Sequence, residues 1–90
     1  MEQVRHNFVG QTIRKLRDAK KLTQEMLSAR CGVEGYEISR GTLAKIESEI
    51  RGVSDIEIFV IARVLGVKME DLFPPRFAPR LKNGEFAKPE

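Results

Sequence analysis

Apolar residues recur at intervals of three and four along most of the chain, which is the spacing of one face of an amphipathic helix. The pattern is clearest between residues 9 and 20, where a first helix is predicted. Its inward face is formed by Val9, Ile13, Leu16 and Ala19. The chain therefore starts with a helix that buries one side and exposes the other.

Capping residues mark the start of a second helix. Thr23 offers a side-chain oxygen to the free backbone N–H groups, and Glu25 places a carboxylate in the positive first turn. We predict that this helix runs to about Cys31 and ends near Gly32, because glycine readily adopts the left-handed C-terminal cap. Residues 33–37 have no clear periodicity and are predicted to form an extended turn.

Two further helices are predicted from their caps. Ser39 precedes a third helix over about 40–49. Ser54 and Glu57 have the spacing of a capping box, which starts a fourth helix that ends at Gly66. The residues predicted to face inward are Ile38, Leu43, Ile46, Ile58, Ile61, Ala62 and Leu65.

The chain divides into one helical domain and a tail. A short fifth helix over 68–73 is predicted to end at the Pro74-Pro75 pair, because proline disfavours helical geometry in the residue before it. The tail has three prolines among its first six residues and is predicted to be extended or partly disordered. We assign residues 1–73 to one compact all-α domain and residues 74–90 to the tail.

Charge is concentrated at the two ends of the chain, which has a formal net charge of +3. Residues 1–21 carry six basic and two acidic residues, whereas residues 22–73 carry six and nine. This balance favours a polyanionic partner. No apolar run approaches the roughly 20 residues needed to span a bilayer. The N-terminus lacks a secretory signal and a single cysteine cannot form an internal disulfide, so we expect a cytoplasmic protein without a membrane segment.

The residues that usually carry catalysis or bind metals are isolated from one another. There is no glycine-rich phosphate loop and no nucleophile with a base at a familiar spacing, so we expect no enzyme activity, cofactor or metal ion. His6 has no second ligand near it and is interpreted as a surface residue. Cys31 is interpreted as a small buried residue, with a redox role as the alternative.

The order of these segments resembles the phage-repressor, or Xre/Cro-type, helix-turn-helix family, and the resemblance covers residues 9–73. It implies a five-helix, lambda-repressor-like fold and a regulator of transcription, expected to be a repressor, that binds double-stranded DNA. The matching segments are LTQEML at 22–27, Gly32 as the turn glycine, LAKIE at 43–47, ARVLGV at 62–67 and MEDLF at 69–73.

The turn between the second and third helices departs from this family. Gly32 and Leu43 are eleven positions apart, where the family pattern has about six, so about five residues, most simply 33–37, are inserted. The angle between the two helices therefore cannot be transferred from the family. A scaffold that has lost DNA binding is an alternative, and the long turn is its only support. Ser28 also stands where the family usually has alanine.

The resemblance places the third helix in the major groove, where its N-terminal residues lie closest to the base edges. Arg40 is suited to guanine, Thr42 to thymine and Lys45 to a base or a phosphate, and a glycine beside them would let the backbone approach. Gln24 is expected to bind a phosphate at the start of the second helix. The predicted DNA-binding residues are Thr23, Gln24, Ser39, Arg40, Gly41, Thr42, Lys45 and Arg51.

Two further residues have both a DNA-binding and a structural interpretation. Tyr36 in the inserted turn either contacts a phosphate or anchors the turn to the domain. By resemblance, Arg17 pairs with Glu47 across the first and third helices, and it is also a candidate phosphate contact.

The fourth helix is apolar nearly all round, since Ile56, Val60 and Val64 add a second stripe to its inward face. We predict that this stripe forms a homodimer interface, which would match palindromic DNA half-sites. The alternative cover is the tail, through Phe77, Leu81 and Phe86. The tail also suggests a different function, an antitoxin-type or other interaction module in which it binds a protein partner.

Overall fold

The computed structural model of the chain describes residues 7–74. In this part of the chain the regular elements are four α-helices and one 3₁₀ helix, and there is no strand, as the all-α prediction requires. The elements in chain order are α1 (Gly10–Ala19), α2 (Gln24–Val33), α3 (Arg40–Glu47), α4 (Asp55–Leu65) and a 3₁₀ helix (Met69–Leu72).

The predicted helix starts are confirmed by hydrogen bonds at each cap. The hydroxyl of Thr23 accepts a hydrogen bond from the backbone N–H of Met26, and that of Ser39 accepts one from Thr42. The capping box at the start of α4 is present in both directions, because Ser54 and Glu57 each accept from the other's backbone N–H. Local sequence therefore sets where these three helices begin.

α2 ends at Val33, close to the predicted end, but the predicted left-handed cap at Gly32 was wrong. Gly32 lies inside the helix, and Gly35 (φ +102°) is the residue that takes the left-handed conformation. The N–H groups of Gly35 and Tyr36 then bond back to the carbonyls of Gly32 and Cys31, which closes the helix. Glycine permits the left-handed conformation but does not impose it. The helix therefore continues past Gly32, and Gly35 adopts that conformation instead. Part of the predicted insertion therefore extends α2.

The predicted fifth helix is a 3₁₀ helix of four residues rather than an α-helix. Phe73 follows it in an extended conformation (φ −87°, ψ 155°). Pro74 favours that geometry in the residue before it, which leaves too little chain for an α-helical turn with its own hydrogen bonds. The tail predicted over 74–90 lies almost wholly outside the described residues.

The core lies between α2, α3 and α4, with α1 and the 3₁₀ helix packed against them. Most of the residues predicted to face inward are buried there. Leu16 and Ile58 are only partly buried, and Ala19 is exposed because it is the last residue of α1. The buried apolar residues are Val9, Ile13, Leu22, Leu27, Cys31, Ile38, Leu43, Ile46, Val60, Ile61, Ala62, Leu65 and Leu72.

Two contacts that the sequence did not predict fix α3 within the domain. The hydroxyl of Ser28 donates a hydrogen bond of 2.6 Å to the carbonyl of Ile38, immediately before the cap of α3. At the other end, a Cβ on Gly10 would overlap the carbonyl oxygen of Ile46, so the first residue of α1 packs directly on α3. Ser28 is therefore more than a small replacement for alanine, because it holds the long turn.

No helix among residues 7–74 is long and apolar enough to span a membrane.

Candidate nucleic-acid interface

The outward ridge of α3 is the surface on which a DNA groove could dock. Successive residues of an α-helix are rotated by about 100°, so Gly41, Lys45 and Ser48 lie on one ridge. All three are exposed. The opposite side of the helix faces the core and consists of Leu43, Ile46 and Glu47. Arg40 is exposed as the first residue of α3, about 100° around the helix from Gly41 and on the side of Glu47 rather than on the ridge. Ser48, which follows α3, was not predicted as a site residue.

Two of the predicted base-contacting residues are bonded to each other. The hydroxyl groups of Ser39 and Thr42 are 3.0 Å apart, and Thr42 is half-buried. Ser39 also caps α3, so both side chains help to build the end of the helix that they would use for recognition. Their contact holds both hydroxyls at the N-terminus of α3.

An open depression joins the N-terminal ends of α2 and α3. It brings together three predicted DNA-binding residues, Thr23, Gln24 and Arg40, beside Arg17 and Glu25. The uncapped N–H groups of a helix start and a nearby guanidinium favour an anion. The Glu25 carboxylate repels a phosphate electrostatically. The side of the depression nearest Arg40 is therefore the more favourable place for one.

A buried ion pair underlies this depression. Arg17 bonds Glu47 through two hydrogen bonds of 2.7 and 2.9 Å, and Nη1 of Arg17 also donates to the carbonyl of Leu22 at 2.6 Å. The hydrogen bond to Glu47 raises the pKa of Arg17 even though burial lowers it. The pair implied by the resemblance is confirmed. The proposed phosphate contact of Arg17 is disfavoured, because its guanidinium is buried and engaged within the domain.

Gln24 extends this pair toward the surface. Its Nε2 donates a hydrogen bond of 3.0 Å to Oε1 of Glu47, and the residue is half-buried. Glu47 is therefore shared between α1 and the first residue of α2. Gln24 has a fixed amide at the predicted phosphate site, and its phosphate contact stays a prediction.

Arg51 follows α3 and is bonded to α4 rather than extended toward solvent. Its guanidinium donates two hydrogen bonds, of 3.0 and 2.9 Å, to the carboxylate of Glu57 and a third to the carbonyl of Gly52. The hydrogen bonds to Glu57 raise the pKa of Arg51 although burial lowers it, and the charge of Glu57 and, less strongly, Tyr36 add to the rise. The buried carboxylate requires this partner, so a structural role competes with the predicted phosphate contact. Tyr36 is partly exposed and both of its interpretations remain open.

Cys31 is fully buried in the core. Burial, with a smaller contribution from the Glu34 carboxylate, raises the pKa of its thiol to about 11. The thiolate is the reactive form, so the thiol stays protonated and unreactive at neutral pH. The structural interpretation of Cys31 therefore has physical support.

The predicted dimer stripe on α4 is only partly available. Val60 is 4% exposed and belongs to the core, and Val64 packs against the core as well. Ile56 remains at the surface, 41% exposed, beside Phe59, which is 48% exposed and was not predicted. A stripe at every fourth residue drifts around the helix, which carried Val60 and Val64 inward. The apolar surface of α4 is therefore the Ile56–Phe59 pair.

No group of three or more potential metal ligands is present within residues 7–74.

Comparison with known proteins identifies the family. The helix-turn-helix family profile matches residues 13–72. The crystal structure of the restriction-modification controller protein C.AhdI from Aeromonas hydrophila is 34% identical, with a TM-score of 0.65, over 72% of this chain and 91% of that chain. The hypothetical transcription factor NHTF from Neisseria is 26% identical, with a TM-score of 0.67, over 89% of this chain and 83% of its own. A search of curated proteins gave no match. The chain belongs to the Xre/Cro-type helix-turn-helix family of DNA-binding transcriptional regulators.

Proposed function

We propose that this protein is a sequence-specific transcriptional repressor that reads the major groove of double-stranded DNA with α3. The observation that carries the proposal is the outward ridge of α3. It presents Gly41 and Lys45 away from the core, with Arg40 exposed at the N-terminal end of the same helix. An exposed backbone position without a side chain, in a helix that also carries two exposed cations, suits close approach to base edges and phosphates.

The proposed contacts divide between bases and phosphates. Arg40, Thr42 and Lys45 contact base edges, because they lie in the first turns of the reading helix. Ser39, at the cap of the same helix, is placed with these base contacts, whereas Thr23 and Gln24 contact a phosphate at the start of α2, where free N–H groups point outward. Arg51 and Tyr36 contribute at the margin of the interface, where a phosphate would compete with Glu57 for the guanidinium of Arg51.

The proposed repressor is a homodimer that uses the exposed Ile56–Phe59 pair of α4. Two copies related by a two-fold axis would place their reading helices in successive major grooves, about 34 Å apart. An inverted repeat with that spacing is then the expected operator. Cover of the same surface by the tail remains the alternative, and the tail lies outside the described residues.

A second candidate is control of restriction and modification genes. The 34% identity to the controller protein C.AhdI over 72% of this chain favours it. Binding of the protein to the promoter of adjoining methyltransferase or endonuclease genes would support this role. A neighbouring toxin gene, with capture of its product by residues 74–90, would instead support the antitoxin-type alternative.

The test of DNA reading is selection from a random duplex pool with the wild type, Arg40→Ala and Arg14→Ala. Arg14 is a matched control, because it is an exposed arginine on α1 and its loss removes the same charge. We expect the wild type and Arg14→Ala to enrich one motif. Arg40→Ala should no longer enrich this motif, because it loses about 1–3 kcal/mol of discrimination at one base pair. Its salt-sensitive binding to random duplex should survive.

Weak binding without enrichment by the wild type would reject sequence-specific reading. Enrichment of the same motif by Arg40→Ala would reject the role of α3 as proposed.

The test of the dimer is sedimentation at micromolar concentration. We expect the wild type to sediment as a dimer and Ile56→Glu as a monomer, because a carboxylate placed in an apolar interface is desolvated without a partner. Val33→Glu is the matched control, since it adds the same charge at an apolar residue that is 85% exposed on a different helix, α2. A monomeric wild type, unchanged by Ile56→Glu, would reject the dimer.

A further inference from the structure

Because the reading helix α3 is short, small shifts at either end change the angle between its axis and the rest of the domain. α3 has eight residues, which corresponds to about 12 Å of helix. With its N-terminus held, a shift of about 1 Å at the other end turns the axis by about 5°. The angle at which Arg40 and Lys45 meet a groove therefore depends on what holds both ends of α3.

The N-terminal end is held by the bond between Ser28 and Ile38. It lies one residue before the cap, so it fixes where α3 starts after the long turn. One hydrogen bond at one end does not by itself fix the direction of the axis, which also depends on the buried side of α3 and on the contacts at its C-terminal end.

The C-terminal end is held by the Arg17–Glu47 pair and also by Asn7, a buried residue ahead of α1. Its Nδ2 donates to the carbonyl of Ile46 in α3 at 2.8 Å and to the carbonyl of Arg51 in the following turn at 3.0 Å. Its Oδ1 accepts from the N–H groups of Val9 and Gly10 at 3.0 and 2.8 Å. One amide therefore joins the start of α1 to both sides of the turn that ends α3.

The orientation of this amide follows from its partners. The oxygen faces two N–H donors and the nitrogen faces two carbonyl acceptors, so a flipped amide would lose all four hydrogen bonds. Buried side chains with every polar group satisfied are rigid. The contact of Gly10 with the carbonyl of Ile46 adds a steric limit at the same place.

We propose that Asn7 is a positioning residue for DNA recognition. Its Nδ2 half sets the angle of α3 against the domain, while its Oδ1 half caps α1. This inference rests on the proposed function, since it assigns to Asn7 the alignment of the side chains that read the bases. Asn7 lies far along the chain from α3 and has no place in the reading surface itself.

The test separates the two halves of the amide. Asn7→Asp keeps the acceptor for α1 and removes the donors to Ile46 in α3 and to Arg51 in the following turn. Asn7→Ser also keeps an acceptor but adds no charge, so it serves if the aspartate variant does not fold. Val67→Ala is the matched control for lost stability, because Val67 is partly buried against the core. Affinity for the sequence selected by the wild type, and for random duplex, is measured where circular dichroism shows each variant folded.

We expect both Asn7 variants to lose about tenfold in affinity for the selected sequence, the scale of one misaligned base contact. Binding to random duplex should change little, because it depends on charge. Val67→Ala should retain both affinities. Unchanged specific affinity in Asn7→Asp or Asn7→Ser, or an equal loss in Val67→Ala, would overturn the inference and leave the proposed function intact. A wild type that selects no sequence would instead reject the proposed function.

Discussion

Gly10 and Gly41 are glycines for different physical reasons. Gly10 cannot carry a side chain, because a Cβ would overlap the carbonyl oxygen of Ile46. Around Gly41 the space is open, and the nearest atom to an added Cβ, in Ser39, is 4.0 Å away. The fold therefore requires glycine at position 10 but not at position 41. An outside molecule that approaches α3 closely would explain the second.

Gly41→Ala tests this explanation directly. We expect the free energy of unfolding to stay constant or rise by up to about 1 kcal/mol, because alanine favours helix. Specific DNA affinity should fall, because the methyl group occupies the space for the groove. Gly32→Ala is the matched control, since Gly32 also lies in a helix with open space around it. Urea unfolding measures the stability of both variants, and DNA titration measures their affinity. Full affinity in Gly41→Ala would show that no close approach occurs there.

At the scale of a single element, the capping residue Glu57 of α4 also bonds Arg51 in the turn that precedes the helix. Glu57 accepts hydrogen bonds from the backbone of Ser54 and from the guanidinium of Arg51. Burial raises the pKa of Glu57, but these bonds together lower it below the ordinary 4.5. The element is therefore stabilised by a carboxylate that must stay ionised.

This lowered pKa predicts the acid sensitivity of the fold. A carboxylate with a lowered folded pKa stabilises the protein above the unfolded value, near 4.5, and loses this effect as the pH falls through its folded pKa. We expect Glu57→Gln to be less stable than the wild type at pH 7 and to lose less stability on acidification. Asp55→Asn is the control on the same first turn. Unfolding in urea at several pH values measures this, and parallel pH profiles for wild type and Glu57→Gln would contradict it.

At the scale of the molecule, the buried pair of Arg17 and Glu47 joins α1 to α3 and, through Gln24, to α2. Removal of one partner leaves the other charge buried without compensation, which costs about 3–5 kcal/mol. Domains of this size are stable by only about 5–15 kcal/mol. The pair therefore couples the reading helix to the stability of the whole domain.

A double-mutant cycle measures this coupling. Glu47→Met alone is expected to lower the free energy of unfolding by about 3 kcal/mol, and Arg17→Met by a similar amount. The double variant should lose less than the sum, because two apolar side chains replace two charges. A residual loss is expected from the bond between Arg17 and Leu22. Strictly additive losses would show that the two charges act independently.

The amino-acid sequence by itself determined the local features of this protein. Thr23, Ser39 and Ser54 start helices because a side-chain oxygen caps the N–H groups that follow it, and this needs no distant partner. Periodicity also identified many of the core aliphatics, among them Ile13, Leu43 and Leu65. The family pattern then indicated the ion pair between Arg17 and Glu47, which the structure contains.

Only the tertiary structure decided which residues meet across the chain. The amide of Asn7 bonds residues 39 and 44 positions away, and Arg51 is engaged by Glu57 instead of solvent. The same holds for Val60, which the apolar pattern could place on either face of α4 and which the packing buries. Hydrogen bonds and burial between distant residues depend on how the helices pack. Sequence periodicity records which face is apolar but not what covers it.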